Sequence, residues 1–574
     1  MCSKVKGGLC DEAASTAAID DKSDSGDEAS TSTSSESEVP KETQMLIYDT
    51  IGDQITEMFG HLLASIKRKR NSLASIETLT DELLSLIFLF AVSGETAITK
   101  FQYSHVCARW RHLFLTDSRL WTDINLCDSR MRVEACLERA GSVLLELKYP
   151  WQFESPFNHE LLEDVVETRA QQIRSITVNL PPAEVLDLGT VIVTTALPQA
   201  RFVSLTVVQS GWGDEISVES VPVNNLFDSN APNLRYLRLQ KFGLPWSLSK
   251  FTKLTTIMLS QCSFMHPTAN MDFITILSGL PTLKQLSLIN CSNLCHYGSL
   301  NTRLVSLPEL QVVQLDDLRL NDMVQLLSSI VTKPSMRLSG KVRFIDDDPI
   351  TLFSQLNLSN IESLETIQDL SVEIGHINNV MLETVTLTGS NVKSGLNKKL
   401  MFSFAADGLP FAFQSFPAMC EPFNFTNLRK LSLAWRQCGW GTPIVQGVWI
   451  GQGLAEEHDA GEALMYFLRR SPDLAILSLS GCSSVDVLRM LSQREGSDAA
   501  PPCPKLQSLR FELSKLSDQG LKDLVRGRTG CLPLRSLSLI TSYGFCSGTV
   551  AWLRDHVDDI FWDNETNELT IFDQ

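Results

Sequence analysis

One short pattern, apolar-x-x-apolar-x-apolar, recurs along this chain and constrains its fold more than any other feature. "NLRYLRL" places it at Leu234, Leu237 and Leu239, "KLTTIML" at Leu254, Ile257 and Leu259, and "TLKQLSL" at Leu283, Leu286 and Leu288. Further copies start at Leu310, Leu382, Leu428, Leu474, Leu506 and Leu534, with weaker ones from Ile173, Phe202 and Phe353. Most intervals run from 20 to 32 residues, as from 254 to 283 to 310. The 46-residue steps from 382 to 428 to 474 leave room for insertions or further copies. Helical stretches such as "EALMYFLRRS" (462–471) and "LSDQGLKDLVRG" (516–527) lie between copies.

A strand and then a helix every 25–30 residues is the construction of a leucine-rich-repeat horseshoe. No unit can bury its apolar face alone, so neighbours must stack. The expected fold is therefore an α/β solenoid. Cys262, Cys291 and Cys482 each stand three residues after the last apolar residue of a copy, where the repeat consensus has Asn or Cys. A thiol there would hydrogen-bond the turn leaving the strand, which makes these cysteines structural.

The remaining sequence divides by composition. Residues 1–45 are acidic, Ser-rich and poor in large apolar side chains ("DDKSDSGDEASTSTSSESEVPKE"), and are expected to be disordered. Ser25 and Ser35 there each have an acidic residue three positions on, which suits acidophilic kinases. Residues 46–73 read as an amphipathic helix or linker: Ile51, Ile55, Met58, Phe59, Leu62, Leu63 and Ile66 recur at helical spacing. The closing "KRKR" (67–70) fits a nuclear-import signal, but a cationic helix C-terminus, favoured by the helix dipole, is the preferred reading. A formal charge of −18 argues against nucleic acid and against anionic membranes. The first residues hold no apolar signal region, no run is long enough to cross a bilayer, and 14 scattered cysteines read as reduced thiols. A cytoplasmic or nuclear location is expected.

Between tail and repeats lies "LTDELLSLIFLFAV" (79–92), whose apolar positions fill a helical arc of roughly 200°, about twice that of a surface helix. One face suffices for an internal core, and the surplus needs a second surface. "HVCARWRHLFLTDSRLW" (105–121) follows, with Val106, Trp110, Leu113 and Phe114 on one helical face. Together the two segments resemble the F-box, the helical motif that recruits adaptors to SCF ubiquitin ligases. Leu79, Glu82, Leu83, Leu84, Ile87 and Phe88 match its first part; Val106, Cys107, Trp110, Arg111, Leu113, Leu120 and Trp121 match the rest. Thr80 stands where the family has proline, and Thr can cap a helix that Pro would start. The resemblance covers residues 75 to about 126, and "CLERAGSVLLELKYP" (136–150) looks like the entry to the repeats of F-box/leucine-rich-repeat proteins.

That resemblance implies an F-box at 74–130 and a leucine-rich-repeat domain at 131–574. The thirteen matching residues would bind a Skp-family linker, and through it a cullin. Trp110 is placed in the motif's own core, and the repeats would hold a protein substrate. Such a chain is a non-catalytic adaptor that positions its substrate; the alternative is an F-box scaffold or regulator acting outside a ligase. Enzymatic readings are thin. "CSNLCH" (291–296) lacks a second ligand pair for zinc, His105 and Cys107 would point apart on a helix, and "GVWIGQGLAEE" (447–457) lacks the third glycine of a dinucleotide loop. No metal or cofactor is expected. The candidate substrate contacts are Tyr236, Arg238 and Arg510 on the concave strand face, with Trp435, Trp440 and Trp449 in the Gly-rich stretch after residue 434. Seven phenylalanines precede that stretch, and Phe402 and Phe404 alternate like strand residues with one buried face.

Overall fold

In the repeat copies the three apolar positions point inward and are sealed from solvent. Leu237 and Leu239, Ile257 and Leu259, Leu286 and Leu288, Val313 and Leu315, Leu477 and Leu479, and Leu537 and Leu539 are all buried, as is the leading leucine of each of these copies. The computed structural model describes residues 40–92, 97–150, 159–180, 187–207, 221–222, 226–244, 250–264, 273–295, 304–344, 360–377, 382–391, 398–407, 427–436, 468–481, 485–492, 502–528 and 532–563. The tail to residue 39, the copy at Phe353, Cys482, Trp440 and Trp449 lie outside them. The chain forms two units, Met1–Thr80 and Asp81–Gln574. The boundary falls inside the 74–130 span expected from sequence.

The first unit is dominated by α1, Lys41–Asn71. It starts earlier than the expected boundary at 46, directly after Pro40, a residue whose fixed φ suits a helix entry. None of its residues is buried.

The second unit is mixed α/β and contains a 17-stranded sheet dominated by parallel pairing. Its strands are β1 (Asp123–Asn125), β2 (Leu145–Tyr149), β3 (Ile173–Leu180), β4 (Phe202–Val207), β5 (Tyr236–Gln240), β6 (Thr256–Ser260), β7 (Gln285–Ile289) and β8 (Val312–Asp316). They continue as β9 (Arg337–Phe344), β10 (Asp369–Ile377), β11 (Leu382–Ser390), β12 (Lys398–Asp407), β13 (Lys430–Arg436), β14 (Ile476–Ser480), β15 (Ser508–Glu512), β16 (Ser536–Ile540) and β17 (Asp559–Trp562). From β1 to β9 each strand pairs in parallel with the next, without offset except at the start of β2, and from β13 to β17 the same ladder resumes. Parallel neighbours need a crossover segment. Toward the C-terminus the helices Val485–Ser492, Asp518–Gly527 and Ser547–Arg554 provide it and pack on one another in turn.

Seven strands of the ladder end in the same turn. Lys241, Gln261, Asn290, Asp317, Gly481, Leu513 and Thr541 directly follow their strands and have φ between 45° and 70°. In the first six the backbone N–H donates to the last ladder carbonyl of the next strand, for example Gln261 to Ile289 at 2.7 Å and Leu513 to Ile540 at 3.0 Å. At Thr541 the acceptor is the Asp563 carboxylate, 2.9 Å away, so a side chain finishes the series. Cys262 and Cys291 sit just beyond two of these turns. Their thiols lie 3.5 Å from the Leu239 and Leu259 carbonyls of the preceding strands, the structural role expected of them. Burial pushes the Cys291 thiol up to about 11, and that of Cys262 higher still.

The copy at Leu382 requires correction. β11 runs antiparallel to both its neighbours, β10 and β12. Beyond β9 the next strand in space is β12, followed by β11 and β10, and only then β13. A three-stranded meander, laid down in reverse order, thus interrupts the parallel series. Its sequence matched the repeat because Val385 and Leu387, two residues apart, share one strand face, a spacing that an antiparallel strand satisfies as well as a parallel one. The join to β9 is built around Gly340, which faces Phe402 of β12 in register. A Cβ at 340 would meet the Phe402 ring at 2.6 Å, and Phe402 is itself buried. The ring covers the backbone that the glycine leaves bare.

Candidate partner-docking surface

The segment 81–126 builds a small helical layer ahead of the sheet: α2 (Asp81–Val92), α3 (Ala97–Ser104), α4 (Ala108–Thr116), a 3-10 turn at Ser118–Trp121, then β1. The helix α5 (Arg130–Ala140) follows it. Its core is aromatic. Phe88 of α2 meets Trp110 edge-on at 4.7 Å and Phe114 at 4.8 Å, and Tyr103 stacks on Phe114 at 5.9 Å. Trp121 is fully buried, its indole N–H donates to the Phe114 carbonyl, and Arg139 of α5 lies 4.7 Å over its ring. A cation over an indole face is attracted by the ring quadrupole.

Polar contacts fix the helices around this core. Arg109 of α4 pairs with Asp81 at the start of α2 through two hydrogen bonds of 2.7 and 2.9 Å. Asp117 accepts from Arg119 at 2.7 Å and also hydrogen-bonds the buried Ser85 of α2, and these bonds, Arg119 foremost, hold its carboxyl below the usual range. Lys100 of α3 is buried and donates to the Asp123 carbonyl of β1, with burial lowering its pKa.

On α2 the consequence is a helix with two apolar faces. Leu84, Ser85, Phe88 and Val92 are buried. Leu83, Leu86, Ile87 and Phe90 stand at i, i+3, i+4 and i+7, a complete stripe of about 100°, and they are 48%, 45%, 43% and 84% exposed. Val106, just before α4, is exposed as well.

The thirteen residues matched from sequence therefore separate. Leu84, Phe88, Leu113, Leu120 and Trp121 belong to the chain's own core and cannot touch a partner without unpacking it. Trp110, expected inside, is half-buried against Phe88. Cys107 caps α4, its sulfur accepting the Trp110 N–H at 3.4 Å, which is a different role from partner contact. Leu79 follows the 3-10 turn Ser75–Thr78 of the first unit and is half-exposed. Glu82, Leu83, Ile87, Val106 and Arg111 are exposed. The sequence match missed Leu86 and Phe90, although the i, i+3, i+4, i+7 spacing with Leu83 and Ile87 carries the signal.

The expected substrate contacts do not form one patch. Tyr236 and Arg238 lie on β5 and Arg510 on β15, ten strand steps away along the sheet. At about 4.8 Å per step that is on the order of 50 Å. Tyr236 is occupied by its neighbours: it stacks on Phe202 at 4.1 Å and its hydroxyl reaches the Met258 sulfur at 3.1 Å. Arg510 lies 3.1 Å from Glu512. Trp435 is in β13, its side chain beyond what the structure describes. Of "CSNLCH", Cys291 and Cys295 are buried, and His296 lies outside the described residues. Among the described residues no group of His, Cys, Asp and Glu could hold a metal ion, and no helix is long and apolar enough to cross a membrane.

No protein-family model matches the chain, and no curated protein matches it. Among solved structures it is similar to a leucine-rich-repeat protein of Leptospira interrogans at 12% identity. The match covers 76% of this chain and 100% of that one, with a TM-score of 0.26.

Proposed function

We propose that the chain is the substrate-recognition adaptor of an SCF-type ubiquitin ligase, with an F-box that docks a Skp-family linker and leucine-rich repeats that hold a protein substrate. The observation that carries this reading is the second apolar face of α2. Leu83, Leu86, Ile87 and Phe90 form a full helical stripe in water, beside a core already complete without them. Such a stripe is what a helix presents to a partner groove. Its place in the order of elements supports the same reading, because the helical layer precedes a long ladder of strands, and repeat arrays bind. The adaptor catalyses nothing itself. It raises the effective concentration of a substrate near the ubiquitin-loaded enzyme. A cytoplasmic or nuclear location follows from that role.

Affinity purification of the tagged chain from cells is the test. Wild type should recover linker and cullin, and Leu83→Ala with Ile87→Ala should lose both while the far-ultraviolet spectrum stays unchanged. Linker recovered without cullin would favour the scaffold outside a ligase. Recovery of neither by the wild type would refute the F-box assignment.

A further inference from the structure

At β17 the ladder stops with its inner face half covered. The strand carries a copy of the repeat pattern, Val557, Ile560 and Trp562. In the two preceding copies the corresponding Leu509 and Phe511, and Leu537 and Leu539, are sealed from solvent, whereas Ile560 and Trp562 are only half-buried. The Trp562 ring lies beside Phe545, centroids 6.0 Å apart, and its indole N–H is buried with no acceptor among the described residues. A buried donor is normally paired. Among the described residues β17 pairs with β16 alone. Asp559 donates its N–H to the Arg535 carbonyl at 2.8 Å, so by alternation the N–H and C=O groups of Ile560 and Trp562 face the open edge. Such an edge templates unwanted pairing unless something covers it, and a repeat array needs a cap at its ends.

The sequence that follows supplies a cover. Residues 564–574, outside the described part, read "NETNELTIFDQ". Their two aliphatic side chains, Leu569 and Ile571, stand two apart, the spacing of one strand face. From Trp562 to Leu569 the chain is too short for a parallel crossover of about a dozen residues, but long enough for a hairpin. A loop at 563–568, "DNETNE", rich in turn-forming Asp and Asn, sets Leu569 opposite Trp562, Thr570 opposite Phe561 and Ile571 opposite Ile560. Both aliphatic residues then fall on the inner face, beside the two half-buried side chains. A segment tethered this closely outcompetes a second copy of the chain for the same edge, because its effective concentration is far higher. We infer that residues 569–572 pair antiparallel with β17 and cap the open end of the sheet.

The experiment uses the full chain. In hydrogen exchange read by mass spectrometry, the amides of Leu569 and Ile571 should exchange about a hundredfold slower than in a free peptide of the same sequence. Leu569→Asp with Ile571→Asp should remove that protection. Phe561→Cys with Thr570→Cys, a directly opposed pair about 4.5 Å apart between Cα atoms, should close to a disulfide within one chain under mild oxidation. Phe561→Cys with Leu569→Cys, whose side chains would point to opposite faces, should not. Exchange at the free-peptide rate in the wild type would overturn the inference, as would protection that survives the double Asp substitution or equal disulfide yields from the two cysteine pairs. Protection that grows with protein concentration, with disulfides between chains, would overturn it too by making the occupant a second copy.

Discussion

Thr541 and Leu513 occupy left-handed backbone that side chains with a Cβ adopt at a cost, Leu513 at φ 50° and Thr541 at 45°. The backbone takes that geometry after seven strands whatever residue is there, and at six of them the N–H thereby reaches the next strand's last ladder carbonyl. Lys, Gln, Asn, Asp, Gly, Leu and Thr all fill the position, which is why this most regular feature of the fold was invisible in the sequence while the leucines beside it were plain. Replacing the exposed Leu513 by Gly should raise stability by about 1 kcal/mol, read as a higher denaturation midpoint in urea. Cys262 and Cys291 were legible, because their offset from the strand matched a consensus that a buried thiol can satisfy. Acid should act through Asp518, whose carboxylate accepts from the Thr549 hydroxyl and the Cys546 N–H, 3.0 Å from the latter nitrogen. Those bonds, led by Thr549, lower its pKa below the ordinary 3.8. The folded carboxyl is the stronger acid, so its stabilisation is complete above that value and fades as pH falls through the depressed one. Asp518→Asn should therefore be less stable than wild type at pH 7, with the gap closing in urea melts below pH 3.8.

At the scale of elements, α2 is the case where sequence reasoning saw the surplus of apolar surface and misassigned part of it. A motif match cannot tell a residue that holds the helix from one that meets a partner; burial can. Trp121→Ala should cost about 3–5 kcal/mol, since the ring is fully enclosed, whereas Leu86→Ala should change stability by less than about 0.5 kcal/mol, both measurable by thermal melting. The meander β10–β12 shows the opposite limit. Period-two burial is shared by parallel and antiparallel strands, so direction and pairing order were not in the pattern at Leu382. Its join is testable. Gly340→Ala would press a Cβ into the Phe402 ring, and should destabilise by about 1–3 kcal/mol. Phe402→Leu in the same chain should recover part of that loss, because it removes the ring the new methyl would strike.

At the scale of the molecule, the strand ladder was legible because a repeat states its own period, and the helical layer because its apolar positions exceeded what one face can bury. The candidate substrate contacts are not gathered into one place: Tyr236 and Arg238 sit on a strand far along the sheet from that of Arg510, and Tyr236 is already engaged by Phe202 and Met258. The proposed docking uses the exposed stripe of α2, and calorimetric titration of a purified Skp-family linker into the full chain measures it. Saturable binding at one linker per chain is expected, and Leu83→Asp with Ile87→Asp and Phe90→Asp should abolish the heat of binding without lowering the melting temperature. No binding by the wild type at tens of micromolar (a Kd weaker than about −6 kcal/mol of free energy), or undiminished binding by the triple variant, would contradict it.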